Sequence, residues 1–118
     1  MARVVAHVPD LLFGSKVQGM LSSAGHEVTL VGSEPAVREQ IASSDVLVVD
    51  LTADDVAGIA LLEGLKASGD VGRTRTLAFY SHVDAGVRSR AIAAGFDLVV
   101  PRSRMAREGS ALVDGLVA

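Results

Sequence analysis

The chain has 118 residues, 49% of them apolar but only 3% aromatic, which suits a single domain with an aliphatic interior. The absence of cysteine excludes a disulfide framework, a thiolate zinc site and a cysteine nucleophile. No apolar run is long enough for a membrane span and no signal-peptide pattern opens the sequence, so we expect a cytoplasmic protein. The formal net charge of −3 argues against direct nucleic-acid binding, because phosphate neutralisation supplies much of that affinity.

The first residues predict a strand followed by a helix. Arg3 to Val8 is mostly apolar and β-branched, which is typical of a buried strand. Asp10 is a suitable N-cap for a helix that ends near Ala24, where Gly25 supplies the stop. The inward side of this helix is predicted from apolar residues at helical spacing, namely Leu12, Val17, Met20 and Leu21.

A second strand and a second helix follow. His26 to Val31 alternates in the manner of an edge strand, and we expect His26 to face solvent. Ser33 and Pro35 mark a helix start, since proline is tolerated in the first turn, where its missing N–H removes an unpaired donor. This helix is predicted to end near Ser43.

The most informative stretch is centred on Asp50. Val46 to Val49 is an unbroken apolar run, which indicates a strand buried on both faces in the middle of a parallel sheet. Asp50 then lies at the carboxyl end of the strand, where open α/β sheets carry their functional crevice, and we expect it to be partly exposed. Thr52 and Asp55 predict the start of a helix over about 54–67. The residues expected to face inward are Val56, Ile59, Leu62 and either Leu65 or Leu61.

The second half continues the alternation of strands and helices. A strand is predicted from Thr76 to Tyr80, a helix from Ala85 to Ala94 that closes with Gly95, a strand from Leu98 to Val100, and a last helix from about Met105. Five strands alternating with five helices imply a doubly wound α/β domain covering residues 1–118. We expect a flavodoxin-like sheet of five parallel strands in the order 2-1-3-4-5.

Four segments share the features of one signalling family: Asp50-Leu51, the apolar run Gly58 to Leu62, Ser81-His82, and Ala91 to Asp97. Through them the sequence resembles the CheY-like receiver domains of bacterial response regulators, over essentially the whole chain. The resemblance implies a non-enzymatic role in two-component signal transduction or a phosphorelay. It also implies that Asp50 is the candidate phosphoacceptor and that Ser81 is its neighbour at the end of the fourth strand.

Other segments depart from the family pattern. Receivers hold Mg²⁺ with two acids just after the first strand, whereas here only Asp10 is acidic and it lies further along. The lysine expected after the fifth strand is replaced by Pro101-Arg102, and a guanidinium does not act as a compact point charge. Because phosphoryl transfer to a carboxylate depends on such positive charge, we expect a degenerate site. No cofactor is expected beyond weak Mg²⁺ at Asp50 and Asp10.

Two histidines extend the candidate site. His7 and His82 end the first and fourth predicted strands, so both can approach Asp50 at the same edge of the sheet. Imidazoles together with carboxylates suit Zn²⁺ or another borderline metal. The spacing matches no known motif, and ordinary histidines at the rim of the sheet are the alternative interpretation.

Basic residues concentrate in the second half of the chain. Residues 1–59 carry three basic and eight acidic side chains, whereas residues 60–118 carry eight basic and six acidic ones. Four arginines flank the fifth strand, on the helices before and after it: Arg88, Arg90, Arg104 and Arg107. They lie near apolar Val87, Ile92 and Leu112, which we expect to act as anchors. Since receivers use this face for dimers and targets, the resemblance implies a homodimer or a protein partner here.

Three functions remain open at this point. The first is a stand-alone atypical receiver that acts through protein–protein contacts. The second is a working receiver phosphorylated on Asp50 by an unidentified sensor kinase. The third is a small-ligand or nucleotide-binding module that uses the crevice around Asp50, His7 and Ser81. The chain ends after its fifth predicted helix, so we expect any output to come through a partner.

Overall fold

Strands and helices alternate without interruption in the computed structural model, which describes residues 1–118. The strands are β1 (Arg3–His7), β2 (Glu27–Val31), β3 (Val46–Asp50), β4 (Arg75–Tyr80) and β5 (Leu98–Pro101). The helices are α1 (Leu11–Ser23), α2 (Glu34–Ile41), α3 (Asp55–Ser68), α4 (Ala85–Ala94) and α5 (Arg102–Val117).

The five strands form one parallel sheet in the order β2-β1-β3-β4-β5. This order and the doubly wound α/β architecture confirm the prediction from the alternation of elements. The central position belongs to β3, and all five of its residues are buried. Because parallel strands end at the same edge, the carboxyl ends of β1, β3 and β4 lie side by side around Asp50.

Helices cover both faces of the sheet, and the strand residues alternate between the two interiors. Leu47 and Val49 of β3 pack with α2, α3 and α4, whereas Val46 and Val48 pack with α1 and α5. This alternation follows from the two-residue period of a strand. It also explains why β3 has apolar residues at consecutive positions, since each face has its own helical layer to contact.

Several helix ends form at the predicted residues. The Asp10 carboxylate accepts hydrogen bonds from the amides of Leu12 and Phe13 and caps α1, as expected. Gly95 ends α4 in the left-handed conformation, with φ of 107°. α3 begins within one residue of the predicted position, but its cap was predicted wrongly, because Asp54 rather than Thr52 accepts from the amide of Ala57.

Other expectations need correction. Leu12 and Val56 were predicted to face inward but are 86% and 67% exposed, while Phe13 fills the interior beside Leu12. His26 was expected to face solvent but is only 6% exposed, because its ring bonds to the amide of Ala2 and to Asp114 of α5. The last helix begins directly at Arg102 instead of near Met105.

None of the five helices is both long and apolar enough to cross a membrane.

Candidate functional site

Asp50 is the last residue of the central strand and is buried, with 5% of its surface exposed. The expectation that it would be partly exposed is therefore wrong. The sheet continues one residue past it, because the amide of Leu51 donates to the carbonyl of Phe79 at 2.8 Å. α3 then crosses close above, since a Cβ at Gly58 would lie 2.4 Å from Cδ2 of Leu51. This close approach of the helix helps to keep water away from the carboxylate.

The two oxygens of the Asp50 carboxylate have different surroundings. Oδ1 accepts a hydrogen bond from the amide of Thr52 at 2.7 Å and another from the Thr52 hydroxyl at 2.5 Å. Oδ2 is buried and has no hydrogen-bond partner. An unpaired buried oxygen is costly, so Oδ2 marks the point at which a donor, a cation or a covalent group would stabilise the site.

A groove of about 610 Å³ lies above this carboxylate, at the carboxyl edge of the sheet, and we call it the crevice. It is lined by Phe13, Thr52, Ser81, His82, Arg102, Ser103 and Ala106. Three of the predicted site residues therefore line the crevice together, namely Ser81, His82 and Arg102. Asp50 itself does not line the crevice, whereas Thr52, which bonds to its carboxylate, does.

Arg102 occupies the place where the resemblance implies a lysine, but it does not turn toward Asp50. Its guanidinium pairs with Oδ2 of Asp10 at 3.3 Å and stacks over the ring of Phe13, 4.1 Å from the centroid. Phe13 in turn packs against Phe79 at 5.0 Å between ring centroids. The cation is therefore held at the side of the crevice by one carboxylate and one aromatic face.

Asp10 is fully engaged by these neighbours. Its Oδ1 accepts the amides of Phe13 and Leu12, and its Oδ2 faces Arg102. The Phe13 amide makes the largest contribution to a pKa below the ordinary value of the Asp10 carboxyl. Desolvation is the next largest effect and opposes this lowering of the pKa, while the Leu12 amide and the charge of Arg102 contribute to it. Asp10 therefore serves the end of α1 and the Arg102 pair.

The histidines do not complete a metal centre. Nδ1 of His7 faces the carbonyl of Val31 on β2 at 3.2 Å, and His7 does not line the crevice that His82 lines. Nowhere in residues 1–118 do three or more histidine or acidic side chains come close enough to share a metal ion. The hypothesis that His7 and His82 converge with carboxylates on a metal ion is therefore wrong, because the His7 ring contacts the edge strand β2 instead.

The same residues do not fit the Mg²⁺ ion that receivers use. Mg²⁺ requires carboxylate oxygens at near-octahedral positions. Asp50 offers one free oxygen, and the only other candidate, Asp10, is used by amides and by Arg102. The donor set lacks the second acid.

The predicted interface residues lie on the surface of α4 and α5, but most are already paired. Arg90 pairs with Asp55 of α3 at 2.7 Å, and Arg104 and Arg107 both approach Glu108. Of the expected apolar anchors, Val87 and Leu112 are buried in the interior and only Ile92 is about half exposed. The expectation that Val87 and Leu112 face a partner is therefore wrong, since helical spacing turns them toward the sheet.

Sequence reasoning missed the role of Thr52 and a set of exposed apolar side chains at the carboxyl edge of the sheet. Thr52 follows Asp50 by two residues, a spacing typical of local side-chain-to-backbone turns, which was the available signal. The apolar set consists of Leu11, Leu12, Val56 and Val83, which are 85%, 86%, 67% and 75% exposed. All four lie in loops or first helical turns at the carboxyl edge. We call them the apolar rim.

Comparison with known proteins now adds to this geometry. No family model matches the sequence, and no curated protein matches it significantly. Solved structures do match. The receiver domain of the Francisella response regulator 1452 has a TM-score of 0.84 at 17% identity, over 99% of this chain and 97% of that one.

Two further structures agree. The receiver domain of the TMAO respiratory system response regulator TorR matches with a TM-score of 0.84 at 20% identity, over 99% of this chain and 97% of that one. A response regulator receiver domain protein from Clostridium thermocellum also has a TM-score of 0.84, at 16% identity, over 99% and 94%. The chain has the receiver-domain fold. At these identities the match describes the architecture, so the chemistry of this receiver fold depends on its own residues.

Proposed function

We propose that this receiver-fold domain is an atypical response-regulator receiver that acts through protein–protein contacts, without catalysis and with a degenerate phosphorylation site. The observation that supports the proposal most directly is that the residues expected to serve phosphorylation already bond to other groups of the protein. Thr52 covers Asp50, while Asp10 and Arg102 are paired with each other. A phosphoryl group arriving at Asp50 would meet neither a metal-binding acid pair nor a free cation.

A working phosphoacceptor is the second candidate, and one observation favours it. Oδ2 of Asp50 is buried without a partner, and such an oxygen is stabilised by any group that brings positive charge or a bond. Ser81 lines the crevice above. For phosphorylation to proceed, Arg102 would have to leave Asp10 and Phe13, and Thr52 would have to release Oδ1.

Treatment with a small phosphodonor, an acyl phosphate with Mg²⁺, separates these two candidates. Intact-mass measurement follows the addition of a phosphoryl group in the native chain, in Asp50→Asn, and in Asp84→Asn as a control acid at the same edge. We expect no addition that depends on Asp50. An adduct that is absent from Asp50→Asn but present in Asp84→Asn would establish the working phosphoacceptor and overturn the degenerate site.

The crevice also allows the small-ligand alternative to be tested. Its wall combines the hydroxyls of Thr52, Ser81 and Ser103 with one guanidinium, in a volume typical of small-molecule sites. A ligand that binds only the folded state raises the melting temperature. We expect that no nucleotide or sugar phosphate raises the melting temperature of the native chain while leaving that of Ser81→Ala unchanged. A ligand that gives one would favour the third function.

The apolar rim supports the protein-contact component of the proposal. Four large apolar side chains are exposed at the carboxyl edge of this small domain, and we infer that they form an interaction site. A sensor kinase or another protein partner would dock here over the crevice. Substitution of Leu11 and Leu12 by serine removes exposed apolar surface without touching the interior. We expect the double variant to fold normally but to lose binding to any partner that uses this edge.

A homodimer through α4, β5 and α5 remains part of the proposal. Ile92 is about half exposed on α4, and Arg88 beside it has no carboxylate partner. Sedimentation over a range of concentrations tests the face, with Arg88→Glu and Arg107→Glu combined as the disruptive variant. The Leu11→Ser, Leu12→Ser variant is the control. If the charge reversal leaves the association unchanged, or if the protein is a monomer at every concentration, this face is not the dimer interface.

A further inference from the structure

The edge of the sheet opposite the crevice carries a second groove, of about 410 Å³, between α3 and β4. Three basic side chains line it: Lys66 near the end of α3, Arg73 in the following loop, and Arg75 at the start of β4. We call it the basic groove. Its location at the amino edge separates it from Asp50 by the full length of the strands.

The charges in the basic groove have no partners. None of the three cations lies within 4.0 Å of a carboxylate oxygen, although six arginines elsewhere in the chain do. Asp97 is the one acid in the lining, and its Oδ2 already accepts bonds from the amide and the hydroxyl of Thr76. The lining therefore carries three positive charges against the one negative charge of Asp97, in a protein whose net charge is negative.

The loop that carries the two arginines is held in place through its backbone and Thr74. The hydroxyl of Thr74, between the two arginines, lies within hydrogen-bond distance of the carbonyls of Ile41 and Ser44. The amide of Thr74 closes a tight turn onto Val71, in which Gly72 takes the left-handed conformation with φ of 53°. These interactions fix the loop, so little backbone conformational entropy would be lost on binding.

Lys66 is positioned by a different contact. Its side chain runs across Gly95, where a Cβ would lie 2.6 Å from Cε and 2.8 Å from Nζ. The absence of a side chain at Gly95 therefore makes room for the ammonium group. The long stem of a lysine is otherwise free to extend into solvent, and this contact keeps it beside the groove.

We propose that the basic groove binds a small phosphate-bearing anion, held by Lys66, Arg73 and Arg75. Guanidinium forks match two phosphate oxygens at once, and an ammonium supplies a point charge beside them. The lining contains one apolar residue, Val71, and no aromatic ring to stack on a base. The phosphates are therefore the recognised part, whether they belong to inorganic pyrophosphate or to a nucleotide.

The acids just outside the groove are occupied elsewhere. Arg73 and Arg75 also line the adjoining groove of about 690 Å³, which contains Asp45 and Asp70. Oδ2 of Asp45 accepts the amide of Arg3, and Oδ2 of Asp70 accepts from Arg38 at 2.8 Å. These carboxylates are satisfied by other donors, which leaves the two guanidinium groups available for an external anion.

Calorimetric titration with inorganic pyrophosphate at low ionic strength tests the site, since salt screens exposed charges. The disruptive variant combines Arg73→Gln with Arg75→Gln, and Lys66→Gln is a second variant. The matched control combines Lys16→Gln with Arg88→Gln, the other two cations without a carboxylate neighbour. It changes the net charge by the same amount at distant positions.

We expect saturable binding that weakens about tenfold or more in the arginine double variant and changes less than about twofold in the control. Arg102→Gln should leave binding unchanged, which separates the basic groove from the crevice and from the proposed function. A nucleoside diphosphate should bind as well as pyrophosphate, and tighter binding would identify the nucleotide as the source of the phosphates.

Several outcomes overturn the proposal. They are the absence of saturable pyrophosphate binding, an equal loss in the control double variant, and a loss confined to Arg102→Gln. Binding of an acidic peptide without binding of pyrophosphate would show that the groove serves a protein instead. The substituted positions are exposed apart from the half-buried Arg102, so circular dichroism should show an unchanged fold.

Discussion

The hydroxyl of Thr52 keeps the Asp50 carboxylate in its buried position, since it and the Thr52 amide are the only donors to that group. Thr52→Val preserves the shape of the side chain but removes one donor. We expect it to lower the free energy of unfolding by about 1–3 kcal/mol, the usual contribution of a hydrogen bond to a carboxylate, while the Thr52 amide still donates. Urea denaturation followed by circular dichroism measures this difference.

Thr52→Ser is the control for that substitution, because it keeps the hydroxyl and loses only a methyl group. We expect it to retain most of the native stability. The effect of Thr52→Val should also largely disappear when Asp50 is already Ala, which has no acceptor oxygen, as a double-mutant cycle would show. Equal losses in Thr52→Val and Thr52→Ser would mean that the methyl group, and not the hydrogen bond, matters.

Gly58 allows α3 to approach the end of β3. A Cβ at this position would lie 2.4 Å from Cδ2 of Leu51 and 3.2 Å from Cγ1 of Val49, and both neighbours are buried. Gly58→Ala should therefore lower the free energy of unfolding by roughly 1–2 kcal/mol, since overpacking outweighs the better helix propensity of alanine. Thermal or urea unfolding of the purified variant provides the measurement.

Gly19→Ala in α1 is the matched control, because nothing lies within 4 Å of the added Cβ. This substitution should stabilise the protein by about 0.5–1 kcal/mol through helix propensity alone. A stabilising Gly58→Ala would show that α3 can move away from Leu51 at little cost. The packing of α3 against the end of β3 would then be more adaptable than the contact indicates.

The first turn of α1 depends on the charge of Asp10. The amide of Phe13, followed by that of Leu12 and the charge of Arg102, lowers the pKa of Asp10 in the folded chain. A lowered pKa stabilises the fold above the ordinary pKa, and that contribution is lost as pH falls through the folded value. Asp10→Asn keeps a capping oxygen without the charge. It should therefore be less stable than the native chain at neutral pH.

The difference between the two proteins should shrink as pH falls below the ordinary pKa of 3.8. Urea denaturation of both proteins at several pH values measures this difference. A difference that stays constant from neutral to acid pH would mean that the charge of Asp10 contributes nothing to the helix start or to the Arg102 pair.

Local signals predicted most of the helices and strands, and failed where two local roles compete. Asp10 and Gly95 act at the predicted helix ends because their conformations are set by neighbours within a few residues. The prediction that Thr52 caps α3 was wrong because a hydroxyl two residues after Asp50 can bond that carboxylate instead of capping a helix. The prediction that Leu12 and Val56 face inward was wrong because hydrophobic periodicity does not fix which residues of a first helical turn contact the interior.

The pattern of the whole chain predicted the topology, while long-range pairs escaped it. The apolar run of β3 and the strict alternation determine a doubly wound sheet with helices on both faces. The Arg102–Asp10 pair joins residues 92 positions apart, and no sequence pattern indicates that the cation turns away from Asp50. The missing acid and the missing lysine are visible in the sequence, whereas the contacts that Asp10 and Arg102 make instead are not.

His26 connects the start of the chain to its last helix. The amide of Ala2 donates to Nδ1 at 3.0 Å, so this nitrogen is the acceptor, and Nε2 donates to Asp114 at 2.8 Å. His26→Leu keeps an apolar side chain of similar size but leaves the buried Ala2 amide without an acceptor. We expect a loss of about 1–3 kcal/mol in the free energy of unfolding.

Asp114→Asn separates the two bonds of the ring. Asp114 is largely exposed and asparagine keeps an acceptor oxygen, so this variant should lose no more than about 0.5 kcal/mol. Amide hydrogen exchange adds a local test, since the Ala2 amide should exchange much faster in His26→Leu and little faster in Asp114→Asn. If Asp114→Asn destabilises the protein as much as His26→Leu, the bond to α5 matters more than the bond to Ala2. In that case the last helix, and not the first strand, depends on His26.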